Sequence, residues 1–516
     1  MWNLLPLAVC TALAVGQGTP AAVPKPVPRD QRTTNQGQVD EGLPAYYFLL
    51  GRYLEGENKI DAAVDAFKKA IELDPASAEP RAELAALYAR ADRAREAVDA
   101  ADAALKVDPQ NREANRILGS VLAALAEQKQ RLRPGDDLAS YAPRAIAALE
   151  IARADGAGDL SIDLALSRLY LDADRPGDAV PLLRRIVLEQ PQYAEGSILL
   201  AEAQEAAGTP DAAVETLHNL LADQPQFFRG RVQLAEVYEH QRKWEDAADA
   251  WASVQKLNSR NAEIAARRAT ALLNAGRPAD AMPVIRDALS LTPNDVRLTF
   301  MLAQAQRDAG DLAGAEVTAR ALQTAHPDDV RTKFLLGQML DARGRKAEAL
   351  ATYKEAAALA PDNTTVLFQY GAALDRNGQR AEAQKIFRDL IAKDPLDASA
   401  LNYLGYMMAE QRTSLDDAVT LIQRALKVEP DNPSYKDSLG WAYFQQGKFD
   451  LADAPLSDAA RSLPKDSVIQ EHLGDLRLKQ NRRAEALEAW ERALAGDGES
   501  VDKARIQKKI DAAKKK

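Results

Sequence analysis

The sequence predicts an all-α array of stacked helix pairs, and three observations carry that prediction. Prolines return at steps of 34 or 68 residues, at Pro75 and Pro109 and then at Pro191, Pro225, Pro293, Pro327, Pro361 and Pro395. In a 34-residue frame begun at Pro44, the eighth place is small in all thirteen copies, running from Gly51, Ala85 and Gly119 to Gly405, Gly440 and Gly474. The twentieth place is alanine every time, from Ala63 and Ala97 to Ala452 and Ala486. A fixed period of this length is the mark of a repeat architecture. Helix axes approach closely only where the side chains at the contact are small. The eighth and twentieth places therefore read as the crossing point of two antiparallel helices. Leucine at the seventh place in eleven of thirteen copies, and bulky residues such as Phe67, Trp251, Tyr353, Phe387 and Trp490 at the twenty-fourth, fill the flanks.

From the N-terminus, residues 1–16 read as a signal peptide. The apolar run Leu4–Val15 is too short to span a bilayer, which needs roughly 20 residues, and Ala12-Leu13-Ala14 is a small-x-small cleavage site. No basic residue precedes Leu4. Leu7-Ala8-Val9-Cys10 half resembles a lipoprotein box, and a membrane tether follows only if Cys10 is lipidated. Residues 17–43, with Pro20, Pro24, Pro26 and Pro28 among small and polar residues, read as an extended linker. Residues 44–500 form the repeat array. The gap of 82 from Pro109 to Pro191 is two periods plus 14, so one repeat carries a 14-residue insertion near 128–141, where Pro134-Gly135 signals a turn and the preceding helix is expected to run on and project. Residues 501–516 read as a capping helix with a basic tail, since Ala504, Ile506, Ile510 and Ala513 can cover the last repeat while the lysines stay wet.

The small, small, proline register resembles the tetratricopeptide repeat. The resemblance implies a right-handed α-solenoid of about 13 helix pairs and no particular chemistry. Three late stretches, Leu401-Asn402-Tyr403-Leu404-Gly405-Tyr406, Asp437-Ser438-Leu439-Gly440-Trp441 and His472-Leu473-Gly474-Asp475, resemble a subgroup found in bacterial envelope proteins. That likeness implies a scaffold or adaptor.

Composition narrows the function. With 66 Lys and Arg against 76 Asp and Glu, the net charge of -10 argues against nucleic acid as a partner, because phosphate binding needs a basic excess. The single cysteine, Cys10, lies in the leader. The four histidines form no metal-binding pair, and neither a nucleophile elbow nor a phosphate loop is present. His472 reads as a satisfied structural histidine. No enzyme activity, cofactor or metal is expected.

By the family's geometry the second, fifth, ninth and twelfth places line the groove. The fifth place gives Phe300, Phe334 and Phe368 in consecutive repeats; the ninth adds Gln304 and Gln338, the second Arg297 and Arg331, and further along come Asn402, Tyr406, Trp441 and Phe444. An aromatic stripe flanked by Arg and amides suits a protein or peptide partner, although the same rings can also pack between first helices. No repeat pairs Lys at the fifth place with Asn at the ninth, so the carboxylate grip of cochaperone-type repeats is not expected. Glu202, Glu205, Glu236 and Glu239 form an acidic stretch on the same inferred face. The leading expectation is an exported, non-enzymatic scaffold in the periplasm or at the outer membrane. Two other readings fit the same residues: a cytosolic adaptor, or a repeat component regulating polysaccharide synthesis or secretion.

Overall fold

A computed structural model describes residues 36–153, 159–496 and 501–515. The signal peptide, Cys10, the Ala12-Leu13-Ala14 site and the linker up to residue 35 lie outside the described residues. Among the described residues there are 27 α-helices, one short 3₁₀ turn at Leu138–Ser140 and no strand. The chain divides into two compact units, residues 1–216 and 217–516.

The helices before the division are α1 (Gln36–Gly56), α2 (Ile60–Leu73), α3 (Glu79–Arg90), α4 (Ala94–Val107), α5 (Arg112–Glu127), α6 (Tyr141–Arg153), α7 (Leu160–Asp172), α8 (Pro176–Glu189) and α9 (Ala194–Ala206), and the division falls within α10 (Pro210–Asp223). Those that follow are α11 (Phe228–His240), α12 (Trp244–Leu257), α13 (Ala262–Asn274), α14 (Pro278–Leu291), α15 (Val296–Asp308), α16 (Leu312–Ala325), α17 (Val330–Ala342), α18 (Lys346–Leu359), α19 (Thr364–Arg376), α20 (Arg380–Lys393), α21 (Ala398–Glu410), α22 (Leu415–Val428), α23 (Pro433–Gln445), α24 (Phe449–Ser462), α25 (Ser467–Lys479), α26 (Arg483–Ala495) and α27 (Lys503–Lys515). Odd-numbered helices up to α25 are the first of each pair. Within each unit a second helix also packs on the first helix of the next pair, which makes each unit an α-solenoid.

The alanines of the twentieth place are all fully buried. The glycines of the eighth place sit against the bulky twenty-fourth: a β-carbon on Gly51 would lie 2.7 Å from the Phe67 ring, and one on Gly337 2.6 Å from Tyr353. One side of the crossing is therefore small because the other is large. The turn inside each pair needs one left-handed residue, supplied by Gly at Gly276, Gly310, Gly344 and Gly378 and by Asn58, Asp92 and Arg242 elsewhere. The 35-residue repeat takes its extra residue in this turn, where both Arg412 and Ser414 are left-handed. Many repeats then restart on a capping side chain, for example Asp295, Asp329, Asn363 and Asp397, whereas α3, α9 and α11 start without one.

Two boundaries differ from expectation. Helix α1 begins at Gln36, inside the segment read as linker, and carries Pro44 within it. The insertion does not project. Helix α5 runs on only to Glu127, and the chain then folds back: the Leu132 amide donates to the Tyr141 hydroxyl at 3.0 Å, that hydroxyl donates to Asp136 at 2.7 Å, and Arg133 pairs with Asp99 of α4. Tyr141 is buried and supplies the anchor.

Polar joints fasten successive repeats. Glu316 on α16 is buried and is held by Arg320 at 2.7 Å, by Arg343 at 2.7 Å and by Arg345, the last two from the next pair. Asp453 on α24 occupies the same place and receives Arg477 at 2.6 Å and Gln480 at 2.8 Å. Helix α27 buries Ile506, Ile510 and Ala513 against the last repeat, while Lys509 bridges Glu471 at 2.7 Å and Asp475 at 2.6 Å.

Candidate partner-binding site

The first turns of α15, α17 and α19 enclose a cavity of about 730 Å³. Three capping residues set those turns: the Leu298 amide donates to Asp295 at 2.9 Å, the Arg331 amide to Asp329 at 2.8 Å and the Val366 amide to Asn363 at 3.1 Å. With the helix starts fixed, Val296, Phe300, Met301, Val330, Phe334 and Val366 form apolar walls, and Arg297 and Arg331 stand at the edge. Its size falls in the roughly 300–1,000 Å³ range of ligand pockets, which are mostly apolar with a few polar groups at fixed positions.

The charges at the edge are internally paired. Arg297 meets Glu263 at 2.6 Å and Arg331 meets Asp329 at 2.6 Å. The Arg331 guanidinium holds the Asp329 carboxyl below its ordinary range, with help from the Arg331 amide and against the cost of partial burial. Both arginines remain exposed, so a ligand can exchange for either carboxylate without uncovering the core.

The expected residues separate into four groups. Arg297, Phe300, Arg331 and Phe334 come together at the cavity. Phe300 and Phe334 are half-buried, so each ring is both wall and core; Phe334 sets its edge on Tyr353, 6.0 Å between centroids. Gln304 and Gln338 lie one turn further along the same helices, half-buried, and make no hydrogen bond among the described residues. Phe368 does not line the cavity. Its ring meets Phe387 at 5.3 Å and Tyr403 at 5.6 Å, and those two stack on each other at 4.5 Å. Asn402 beside them is half-buried, and its side-chain oxygen has no hydrogen-bond partner among the described residues.

The fourth group corrects the expectation of an open aromatic face. Trp441 is buried: it stacks between Phe444 at 4.8 Å and His472 at 4.0 Å, and its indole N–H donates to Glu410. Tyr406 closes the other side, 6.4 Å from His472. His472 places Nδ1 3.0 Å from both carboxylate oxygens of Asp437, as a satisfied structural histidine should. Burial alone would push the imidazole pKa down; the Asp437 carboxylate, with Glu410 and Asp475 behind it, outweighs burial and holds it above the ordinary value. The acidic stretch is also partly consumed. Arg267 bonds Glu236 at 2.9 Å and Glu239 at 2.5 Å, and lies over the Trp251 ring.

Val296, Met301, Val330 and Val366 were not expected at the site. The available signal is Val296 and Val330 at the first place of consecutive repeats, where the other repeats carry residues such as Pro44, Ala78, Ala262 and Thr364. Among the described residues no group of three or more His, Cys, Asp or Glu is placed to hold a metal, and no helix is long and apolar enough to cross a membrane.

Models of the tetratricopeptide repeat match residues 164–226, 198–261, 300–364 and 409–467, residues 54–121 and 342–404, and residues 262–305. The chain belongs to the tetratricopeptide repeat family. Proteins of this family are in general non-enzymatic scaffolds that bind protein or peptide partners, and the repeats make this chain a protein-interaction scaffold. A TPR repeat-containing protein of Pseudomonas aeruginosa, PA4667, is 40% identical over 83 residues; that match spans 16% of this chain and only 14% of the relative's length. Among solved structures, the yeast Tom70 has a TM-score of 0.40 at 16% identity, over 93% of this chain and 96% of its own. A tetratricopeptide repeat protein from Parabacteroides merdae has a TM-score of 0.43 at 15% identity, over 49% of this chain and 98% of its own. Scores this low say nothing about partners.

Proposed function

We propose that the chain is an exported, non-enzymatic scaffold that captures an apolar or aromatic segment of a protein partner at the α15–α17–α19 cavity. The observation that carries this reading is the cavity itself, which joins Phe300 and Phe334 to Val296, Val330 and Val366 with two exposed arginines beside them. Half-buried aromatics in a preformed apolar recess supply buried area at little ordering cost, and arginine at the edge donates hydrogen bonds to backbone carbonyls or a carboxylate of the partner. Export rests on the apolar run Leu4–Val15 and on Ala12-Leu13-Ala14.

The test fills the cavity instead of emptying it. Val330→Trp occupies the space and leaves both phenylalanines in place. Capture of partners from an envelope extract should fall by about 30-fold or more, the loss expected for a hot spot worth about 2 kcal/mol, while the helical circular dichroism of the chain is kept. Undiminished capture by a folded Val330→Trp variant would remove the cavity from the function. For export, the mature chain should begin near residue 15 and fractionate outside the cytoplasm; intact Met1 in the cytosol would overturn it.

A further inference from the structure

We propose that α1 is a self-association surface, pairing antiparallel about a two-fold axis with α1 of a second copy of the chain. The starting point is the register. The third place of the frame is buried in every repeat after the first, at Pro80, Ala114 and Ile162 and on to Tyr435 and Ile469. The tenth place is buried in those repeats too, apart from half-buried Val121. These places face the second helix of the preceding pair: a β-carbon on Gly196 would lie 3.2 Å from Ile186 of α8, and one on Gly230 3.3 Å from Leu220 of α10. Among the described residues no helix precedes α1. Its third, sixth and tenth places, Tyr46, Leu49 and Tyr53, are 55%, 65% and 50% exposed.

Two features choose a second copy as the occupant. First, the outer face of α27 has only the small side chains of Ala504 and Ala512 as exposed apolar groups among its described residues. Helix α27 turns Ile506, Ile510 and Ala513 inward and leaves Gln507, Lys508, Asp511 and Lys514 exposed, so it presents no large apolar side chain for a head-to-tail stack. Second, the stripe is self-complementary. Its spacing of three then four residues is that of a two-helix seam. In an antiparallel pair centred beside Leu49, Tyr46 of one copy meets Tyr53 of the other, and the two Leu49 side chains meet near the axis. Tyr53 also sets the face apart from the later repeats, whose tenth place is alanine, leucine, valine or methionine, as at Ala203, Leu87, Val237 and Met407, and never aromatic. A two-fold contact closes on itself and gives a dimer rather than a fibre.

Three side chains make a small interface, below the roughly 1,200 Å² of stable complexes, so the pairing is weak and concentration-dependent. Sedimentation of the full chain from about 1 μM to several hundred μM should show the mass rising towards twice the monomer, and Leu49→Lys should hold it at the monomer with unchanged helix content. In a Cys10→Ser background, Leu49→Cys should cross-link copies under mild oxidation and Tyr46→Cys should not, because two Tyr46 positions lie on opposite sides of the axis. A monomer at every concentration overturns the proposal, whether residues 1–35 or a foreign helix then cover α1. A dimer that survives Leu49→Lys, or equal cross-linking at both positions, overturns it as well.

Discussion

Two stretches of the second unit carry aromatic residues at places counted onto the same face of the first helices and put them to opposite uses. Around α15, α17 and α19 the rings of Phe300 and Phe334 stand among valines and leave a cavity. Around α21, α23 and α25, Trp441 and Phe444 meet His472 and close into a stack. The difference lies in the neighbours. A β-branched residue at the first place of two successive repeats cannot reach across the gap between first helices, whereas an indole and an imidazole one repeat apart can. Aromatic spacing alone therefore does not define a binding face; the residue one repeat along decides whether the ring is covered.

The strongest way to break this comparison is Trp441→Ala. If the stack is core, the C-terminal repeats should lose about 3–5 kcal/mol, as for other buried tryptophans, and a scan should show them melting ahead of the rest, with partner capture at the cavity retained while they remain folded. A loss of capture without a loss of stability would make Trp441 a contact residue after all. Phe334→Ala should cost about 2 kcal/mol of stability, because half of the ring is buried and its edge lies on Tyr353. Phe300→Ala should cost about 1 kcal/mol, having no such ring beside it. Both should weaken capture, and urea unfolding beside a binding assay separates the two effects.

The smallest changes are expected from pH alone, and they fall on the closed region. The imidazole of His472 is held above the ordinary histidine value of about 6.5. Its contribution is complete below that ordinary value and is lost as pH rises through the raised one. The melting midpoint of the C-terminal repeats should fall on going alkaline, and His472→Gln should flatten that dependence. At the acid end, Arg477 above all, together with Gln480 and Ser457, holds the Asp453 carboxyl down to about 2. Its stabilisation is present above the ordinary aspartate value of about 3.9 and disappears as pH falls towards about 2. The cavity region lacks such a buried imidazole and should respond less to the alkaline change; at the acid end Asp329, held below its ordinary range by Arg331, gives it a dependence of its own.

The fold was legible because each rule of the frame concerns one residue meeting one neighbour at a constant offset. Ala63 and its twelve counterparts are buried for a reason visible in the sequence, and Gly337 is small because Tyr353 is large. The site was less legible. Arg297, Phe300, Arg331 and Phe334 could be placed on one face by counting, but the valines that shape the cavity sit at places with no constant residue type, the first place carrying Pro44, Arg112, Leu160, Phe228 and Thr364 elsewhere. The burial of Trp441 depends on His472, which belongs to the next repeat and a different place of the frame, so no periodic rule connects them. The folding back of the insertion depends likewise on one hydroxyl, that of Tyr141.

The joints at Glu316 and Asp453 have a mechanical consequence. A linear stack under load parts at its weakest seam, and a carboxylate gripped by several guanidinium or amide groups, buried at Glu316 and half-buried at Asp453, resists opening, because separating the partners breaks charge-assisted hydrogen bonds that shelter it. The seams after α16 and α24 are therefore the tough ones. A force-probe pulling on the second unit should find its first yielding steps elsewhere, for example at the seam after α20, where the corresponding contact is a single amide pair, Gln384 to Gln411 at 3.3 Å. Replacing Glu316 by glutamine should move a late rupture event to an early one without altering the length of chain released.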